Sequence, residues 1–348
     1  MLKTTCKIKL LKVTFGRDKN GVWSIDGLNS MAIKSIDSTV DFCRIADELI
    51  VWQPSSFGPT SYFLGQSIVP VVAQVHGENV LHCIGTGFFI SCSGLLITAA
   101  HVVSDPIEQQ YGGVAETNDL VWQARELTLG VMIPLNPMTH GKKYVLRKIE
   151  WASFLAKKAD SPLPIKGVDL KLTSDTAICK VALLAPDVPH QPLTIVQPGI
   201  VGAGMSVGKT ATAIGYGAMR DVNLEATAPN EIAGDFPFDL YASTGRILER
   251  FPDNTTTKKV PTPGACFSAS LQLPGGMSGS PIFDHEGIYV HGVVSRGWVD
   301  ADGISNLGFG SMLAHSMHIP IRPLDNKTLI QLHSESEQGF AKLRASDI

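Results

Sequence analysis

No stretch of this 348-residue sequence approaches the roughly 20 consecutive apolar residues that a membrane-spanning helix requires. Lysines interrupt the N-terminal run Met1 to Lys19 every few positions, so it also lacks the unbroken apolar core of a secretory signal. Cysteine is sparse and scattered: Cys6, Cys43, Cys83, Cys92, Cys179 and Cys266 show no paired spacing of the zinc-binding kind. Charge is low as well. Charged residues make up 18% of the chain, the net charge is −3 and no basic block stands out, which removes the electrostatic case for nucleic acid or an acidic membrane. Together these absences predict a cytoplasmic protein with reduced thiols and neither a nucleic-acid nor a membrane partner.

What is present is a globular chain, 44% hydrophobic, long enough for two domains or one larger β unit. Residues 1–66 read as an N-terminal extension. It has a strand-like start, Cys6 to Phe15, and a segment, Ser38 to Trp52, that suits a short helix or a strand equally. From Ile68 the texture becomes strand and turn. Val71 to Val75 and Val80 to Ile84 flank the polar turn His76 to Asn79, and Gly87 to Ile90 and Leu95 to Ala99 flank Ser91 to Gly94. Asp119 to Val131 and Lys143 to Phe154 are further strands, and Asp175 stands at the mouth of another. Pro186 to Pro198 reads as a linker between two β units. Beyond it Lys209 to Gly215, Leu240 to Phe251, Cys266 to Leu271 and Leu307 to Met312 are strands, and Asp325 suits the cap of a helix over Lys327 to Gln338. The pattern is all-β, in two packed units: residues 67–190 and 191–325, with a short helical tail over 326–348.

One stretch, Leu273 to Gly297, carries a chemical signal. Gly276-Met277-Ser278-Gly279-Ser280-Pro281 sets a serine in a tight turn of small residues, followed by strand, turn and strand. A serine hydroxyl is a weak nucleophile unless a base takes its proton and a third group orients the base. His101 follows directly on a buried strand in a run of small residues, and Asp175 precedes one. In chain order, His101 is the candidate general base, Asp175 its orienter and Ser278 the nucleophile; the neighbouring Asp169 is the alternative acid. The backbone N–H groups of Gly276 and Ser278 are candidates for an oxyanion hole.

These residues also carry a resemblance. Gly85-Thr86-Gly87-Phe88-Phe89-Ile90 with Leu96 to Val103 resembles the histidine motif of trypsin-like serine peptidases. Asp175 to Val181 is similar to the family's aspartate strand, Gly276 to Pro281 to its Gly-x-Ser-Gly-Gly-Pro motif, and Gly292 to Ser295 to its substrate-binding strand. The likeness covers residues 68–320 and implies two six-stranded antiparallel β-barrels, chymotrypsin-like, with the site in the cleft between them. It implies a protein or peptide substrate and no cofactor or metal. It also implies a side-chain pocket lined near Gln272, Leu273, Ser295, Arg296, Gly297 and Gly308 to Gly310, with no acidic residue to select lysine or arginine.

Departures from the family pattern narrow the reading. Val102 stands where secreted members have a disulfide cysteine, and Met277 where they have the aspartate of zymogen activation. The pattern is closer to the intracellular, bacterial and viral branch. Its heat-shock members usually add a peptide-binding domain, but only residues 321–348 follow here. Ser280 replaces a usual glycine. The rival reading is an inactive trypsin-like fold that binds a partner protein.

Other signals fall short. Ala203 to Thr210 nearly spells a phosphate-binding loop, but a strand-like run follows it where such a loop needs a helix. His315 and His318 lack a third metal ligand nearby, His291 suits either the cleft or the core, and Cys92 and Cys179 read as core thiols.

Overall fold

Short apolar runs between turn residues fold here as antiparallel strands that bury alternate side chains. The computed structural model describes residues 3–14, 32–44, 49–51, 64–91, 93–105, 121–122, 127–134, 143–158, 170–182, 193–195, 197–199, 205–224, 226–228, 231–233, 239–252, 259–299, 305–318 and 320–335. The chain opens with β1 (Lys3–Thr14), β2 (Ala32–Arg44) and β3 (Leu49–Val51). Then come β4 (Ile68–Val75), β5 (Val80–Phe89), β6 (Leu95–Thr98) and the short helix α1 (Ala100–Asp105). β7 (Val121–Trp122), β8 (Leu127–Pro134), β9 (Lys143–Lys158) and β10 (Leu170–Val181) follow. Pairing in the order β10-β6-β5-β4-β8-β9, with β9 returning to β10, closes six of these strands into a barrel.

The chain continues through β11 (Leu193–Ile195), β12 (Gln197–Pro198), β13 (Thr210–Gly217), β14 (Val222–Asn223), β15 (Ala226–Ala228) and β16 (Glu231–Ala233). It ends with β17 (Asp239–Phe251), β18 (Cys266–Ala269), β19 (Pro281–Phe283), β20 (Tyr289–Val299), β21 (Ser305–Met312) and the helices α2 (Leu313–Ser316) and α3 (Leu329–Glu335). The order β17-β13-β19-β20-β21-β18, with β18 returning to β17, closes a second six-stranded barrel. The expected all-β, two-barrel architecture is the one observed.

Alternation along β13 shows how the barrels meet. Ala211 and Ala213 point into the core of the second barrel, beside Phe267, Ile282 and Val294. Ile214 and Tyr216 join a larger buried cluster that is continuous with the first barrel's Phe88, Ile97 and Ile178. β20 repeats the pattern, with Val294 inside its own barrel and Val293 on the junction side. A one-residue slip in either strand would exchange these faces, so the apolar pattern pins the register.

Three local readings are settled or changed. Ser38 to Trp52, which suits helix and strand equally in sequence, is strand where described, since β2 pairs with β1 along its length and β3 pairs with both β2 and β17. The extension thus joins the second barrel's sheet. Within Pro186 to Pro198, read as a linker, two strands are present: β11 pairs with β1 and β12 with β20, while residues 186–192 and 196 lie outside the described residues. The final helix starts at Leu329, not Lys327, because Asp325 sits at φ +52° behind a 3-10 turn and cannot cap it. Thr328 does so, its hydroxyl accepting the Gln331 N–H at 3.2 Å while Gln331 Oε1 accepts the Thr328 N–H at 2.8 Å. Residues 336–338 of that prediction lie outside the described residues.

One segment crosses between the barrels. After β13, Ala218 donates its N–H to the Gly275 carbonyl at 2.7 Å, and β14 then pairs with β5 of the first barrel. Asp221, just before β14, accepts from His82 Nδ1 at 2.9 Å and from the Cys83 N–H at 3.4 Å.

Candidate active site

His101 stands in the first turn of α1, directly after β6, where the strand's pairing with β5 and β10 holds it at the barrel rim. Asp175 lies in the stretch of β10 where its register against β9 shifts between Leu172 and Ala177. That irregularity turns the carboxylate out of the ladder and toward α1. Asp175 Oδ1 accepts the His101 N–H at 3.0 Å, and Oδ2 accepts from Nδ1 at 2.8 Å. With Nδ1 as donor, Nε2 is the ring nitrogen that would take a proton.

Asp175 is 1% exposed. Burial pushes its carboxyl upward, but hydrogen bonding and charge from His101, with help from the Ser295 hydroxyl, hold it below the ordinary aspartate value. Ser295 Oγ donates to Oδ2 at 2.5 Å. The side chain of Ser295, one of the expected pocket residues, is buried on the junction side of β20, at a bulge between Val294 and Arg296. Its carbonyl has a different partner. Asp169, the alternative acid, lies outside the described residues.

Ser278 occupies a turn braced by its own backbone. Met277 donates its N–H to the Pro274 carbonyl at 3.2 Å, Ser280 to the Met277 carbonyl at 3.0 Å and Gly279 to the Val294 carbonyl at 2.8 Å. The N–H groups of Gly276 and Ser278 donate to no acceptor among the described residues. These are the two donors expected for an oxyanion hole. Gly276 has φ +96°, and a Cβ there would lie 3.2 Å from the Tyr216 carbonyl oxygen, so the turn needs glycine at that point. The Ser278 hydroxyl donates to the Ser295 carbonyl at 3.3 Å.

The departures from the family pattern have physical accounts. Met277 is fully buried in the second barrel's core, an apolar anchor where an ion pair would otherwise sit. Ser280 is buried against Gly215, where a Cβ would come within 1.6 Å of its hydroxyl, so glycine in β13 makes room for serine in the turn.

Of the expected pocket residues, Leu273 is nearly buried beside Leu271, Met277 and Val294, and it presses on Gly308, where a Cβ would lie 2.6 Å from Leu273 Cδ1. Gln272 donates its N–H to Ser243 Oγ at 2.8 Å, Arg296 is exposed and Gly297 half-buried. His291 faces the core, 3.6 Å from Asp284 and against Gly199. His315 and His318 are exposed, and Cys92 lies outside the described residues. Residues 205–209 form a turn leading into β13, with no helix to hold a phosphate. The thiols of Cys83, Cys179 and Cys266 are each pushed up to about 12, by burial and at Cys83 also by Asp221. None of them is a ready nucleophile.

Two closed six-stranded barrels, with a histidine–carboxylate pair and a serine turn at their junction, define the chymotrypsin-like class. A family model, the trypsin-like peptidase domain, matches residues 85–290, more than half of the chain, and the protein belongs to that family. Comparison with curated proteins gives no match. Among solved structures the chain is similar to the HtrA-type protease AlgW with a decapeptide, at 14% identity over 72% of this chain and 63% of that one, TM-score 0.40. It is similar to Deg5, at 15% identity over 73% and 88%, TM-score 0.41. A third is the inactive form of a serine-to-alanine mutant of Rv3671c from M. tuberculosis H37Rv, at 19% identity over 77% and 90%, TM-score 0.37. The chain thus spans under two thirds of the length of the AlgW chain.

Proposed function

We propose that the protein is a serine endopeptidase that cleaves peptide bonds through an acyl-enzyme on Ser278. The observation that carries this reading is the double contact of buried Asp175 with His101, to the backbone N–H at 3.0 Å and to Nδ1 at 2.8 Å. A surface ion pair has no need of both. Held this way, the ring keeps its proton on Nδ1 and offers Nε2 to a nucleophile.

In the reaction, Ser278 Oγ turns from the Ser295 carbonyl toward His101 Nε2, gives up its proton there and bonds to the substrate carbonyl carbon. The negative charge that builds on the carbonyl oxygen is met by the Gly276 and Ser278 N–H groups. Collapse breaks the C–N bond, and His101 returns its proton to the departing amine. Water then attacks the ester with His101 again as base, releasing the acid and restoring the Ser278 hydroxyl. No step calls for a cofactor. The free thiols of Cys83, Cys179 and Cys266 support a reducing, cytoplasmic setting.

Hydrolysis of a fluorogenic peptide library tests this reading. The wild-type protein is expected to cut, and Ser278→Ala and Asp175→Asn to lose about 10⁴-fold or more in kcat. Equal turnover by wild type and Ser278→Ala would overturn it.

A further inference from the structure

A single residue of the first barrel, Thr86 on β5, reaches the nucleophile turn of the second through every polar atom but one. It is fully buried. Its N–H donates to the Ser278 carbonyl at 2.8 Å. Its hydroxyl oxygen accepts the Tyr216 N–H at 3.0 Å. The hydroxyl proton has two acceptors in reach, the Gly276 carbonyl at 3.1 Å and the Tyr216 carbonyl at 3.4 Å. The nearer one lies in the turn itself. The remaining atom, the Thr86 carbonyl, accepts from Thr98 Oγ1 at 2.6 Å, which ties the residue back into its own barrel.

The consequence follows from peptide planarity. In a trans peptide the C=O and the next N–H point in opposite directions, so anchoring one aims the other. The Gly275 carbonyl is anchored by the Ala218 N–H at 2.7 Å, which aims the Gly276 N–H away from it. The Met277 carbonyl is anchored by the Ser280 N–H at 3.0 Å, which aims the Ser278 N–H. Between these two lies the Gly276–Met277 peptide, which follows two adjacent glycines. Its N–H reaches the Pro274 carbonyl at 3.2 Å, a long bond inside the turn itself, and its carbonyl is held from outside the turn by Thr86 at 3.1 Å. Release of that carbonyl leaves only the long internal bond, so the Gly276 dihedrals relax and the two donors uncouple.

We infer that Thr86 is a positioning residue for the oxyanion hole: its hydroxyl locks the Gly276–Met277 peptide so that the Gly276 and Ser278 N–H groups converge. The inference rests on the proposed peptidase reading, and it names a group that never touches substrate. It assigns a specific task to a threonine that β propensity alone would explain. It also makes the first barrel, which supplies His101 and Asp175, the support of the hole in the second.

The test compares Thr86→Val, which keeps the shape and the backbone N–H but removes the hydroxyl, with Thr86→Ser, which restores it. Two readouts are taken. In turnover, Thr86→Val is expected to lose about 10²-fold in kcat, the effect of one displaced oxyanion donor, with KM within about threefold of wild type. Thr86→Ser is expected to recover most of that loss. In hydrogen exchange by mass spectrometry, peptides covering residues 274–280 should exchange at least about tenfold faster in Thr86→Val and at the wild-type rate in Thr86→Ser. A Thr86→Val protein with wild-type kcat, or a loss equal in both variants, overturns the inference. If wild type itself cuts nothing, the peptidase reading falls, and exchange still decides the positioning claim, since unchanged rates in Thr86→Val would refute it. Should the valine variant not fold, Thr86→Cys, which keeps a weak donor, takes its place with an intermediate loss expected and wild-type values contradicting.

Discussion

The Ser295 hydroxyl donates to Asp175 Oδ2 at 2.5 Å, joining the last long hairpin of the second barrel to the acid strand of the first. Asp175 thus receives three donors, two from His101 and one from across the junction. The pair of barrels is therefore coupled through the acid as well as through apolar packing.

Removing that donor has a signed consequence. Asp175 is held below its ordinary value in the fold, so its contribution to stability is complete above the unfolded pKa of about 3.9 and disappears as pH falls through the folded value. Ser295→Ala raises the folded value, so acid unfolding is expected to begin at higher pH than in wild type. At neutral pH the variant should lose about 1.5–3 kcal/mol, the worth of a hydrogen bond to a charged group. Urea unfolding at pH 3 to 7 measures both effects; identical curves for the two proteins would contradict the account.

Gly276→Ala puts a side chain on backbone at φ +96° and within 3.2 Å of the Tyr216 carbonyl oxygen. The turn is expected to distort, with kcat falling about 10²-fold or more and KM changing little, because the donor it aims acts in the transition state. Steady-state kinetics on one fluorogenic peptide checks this. Unchanged kcat would mean that the Gly276 N–H has no part in the reaction.

Leu273 packs over Gly308, and the family resemblance puts both in the lining of the side-chain pocket. Cleavage in a peptide library is expected after small uncharged residues, and Leu273→Ala should admit larger apolar ones. A profile dominated by cleavage after lysine or arginine would be inconsistent with the lack of a carboxylate among the described residues expected to line the pocket.

His291 offers a second pH test, away from the site. Burial lowers its pKa, and the attraction of Asp284 offsets this only in part. The unfolded chain then binds a proton more readily than the fold does. Stability should decline as pH falls below about 6.5, the unfolded value, until the folded value is passed. The decline should flatten in His291→Gln. Denaturant midpoints between pH 5 and 7.5 read the slope, and a wild-type slope surviving in the variant would place its source elsewhere.

The catalytic candidates were legible because each lies in a short local pattern: a strand ending in small residues before His101, an aspartate at a strand mouth, a serine among glycines. The two-barrel architecture was legible through the family likeness that those patterns carried. Relationships across long sequence separations were not. Thr86 reads as an ordinary β-former until Tyr216, Gly276 and Ser278 are brought beside it. His82 and Asp221 are 139 residues apart and only pairing of β5 with β14 joins them. The contact of the Ser295 side chain with Asp175 spans 120 residues of sequence and has no local signal. At the C-terminus, Asp325 and Thr328 both fit a helix start in composition, and only the backbone angle at Asp325 separates them.

The central claim is that Ser278 is a nucleophile activated by His101. The most direct measurement is intact-mass and peptide-mapping analysis after treatment with a fluorophosphonate, which bonds to activated serines. One adduct per chain is expected, located on Ser278, with no adduct in Ser278→Ala or His101→Ala proteins that remain folded. A folded wild-type protein that stays unlabelled, or one labelled equally well without His101, would contradict it and favour a trypsin-like fold kept for binding a partner protein.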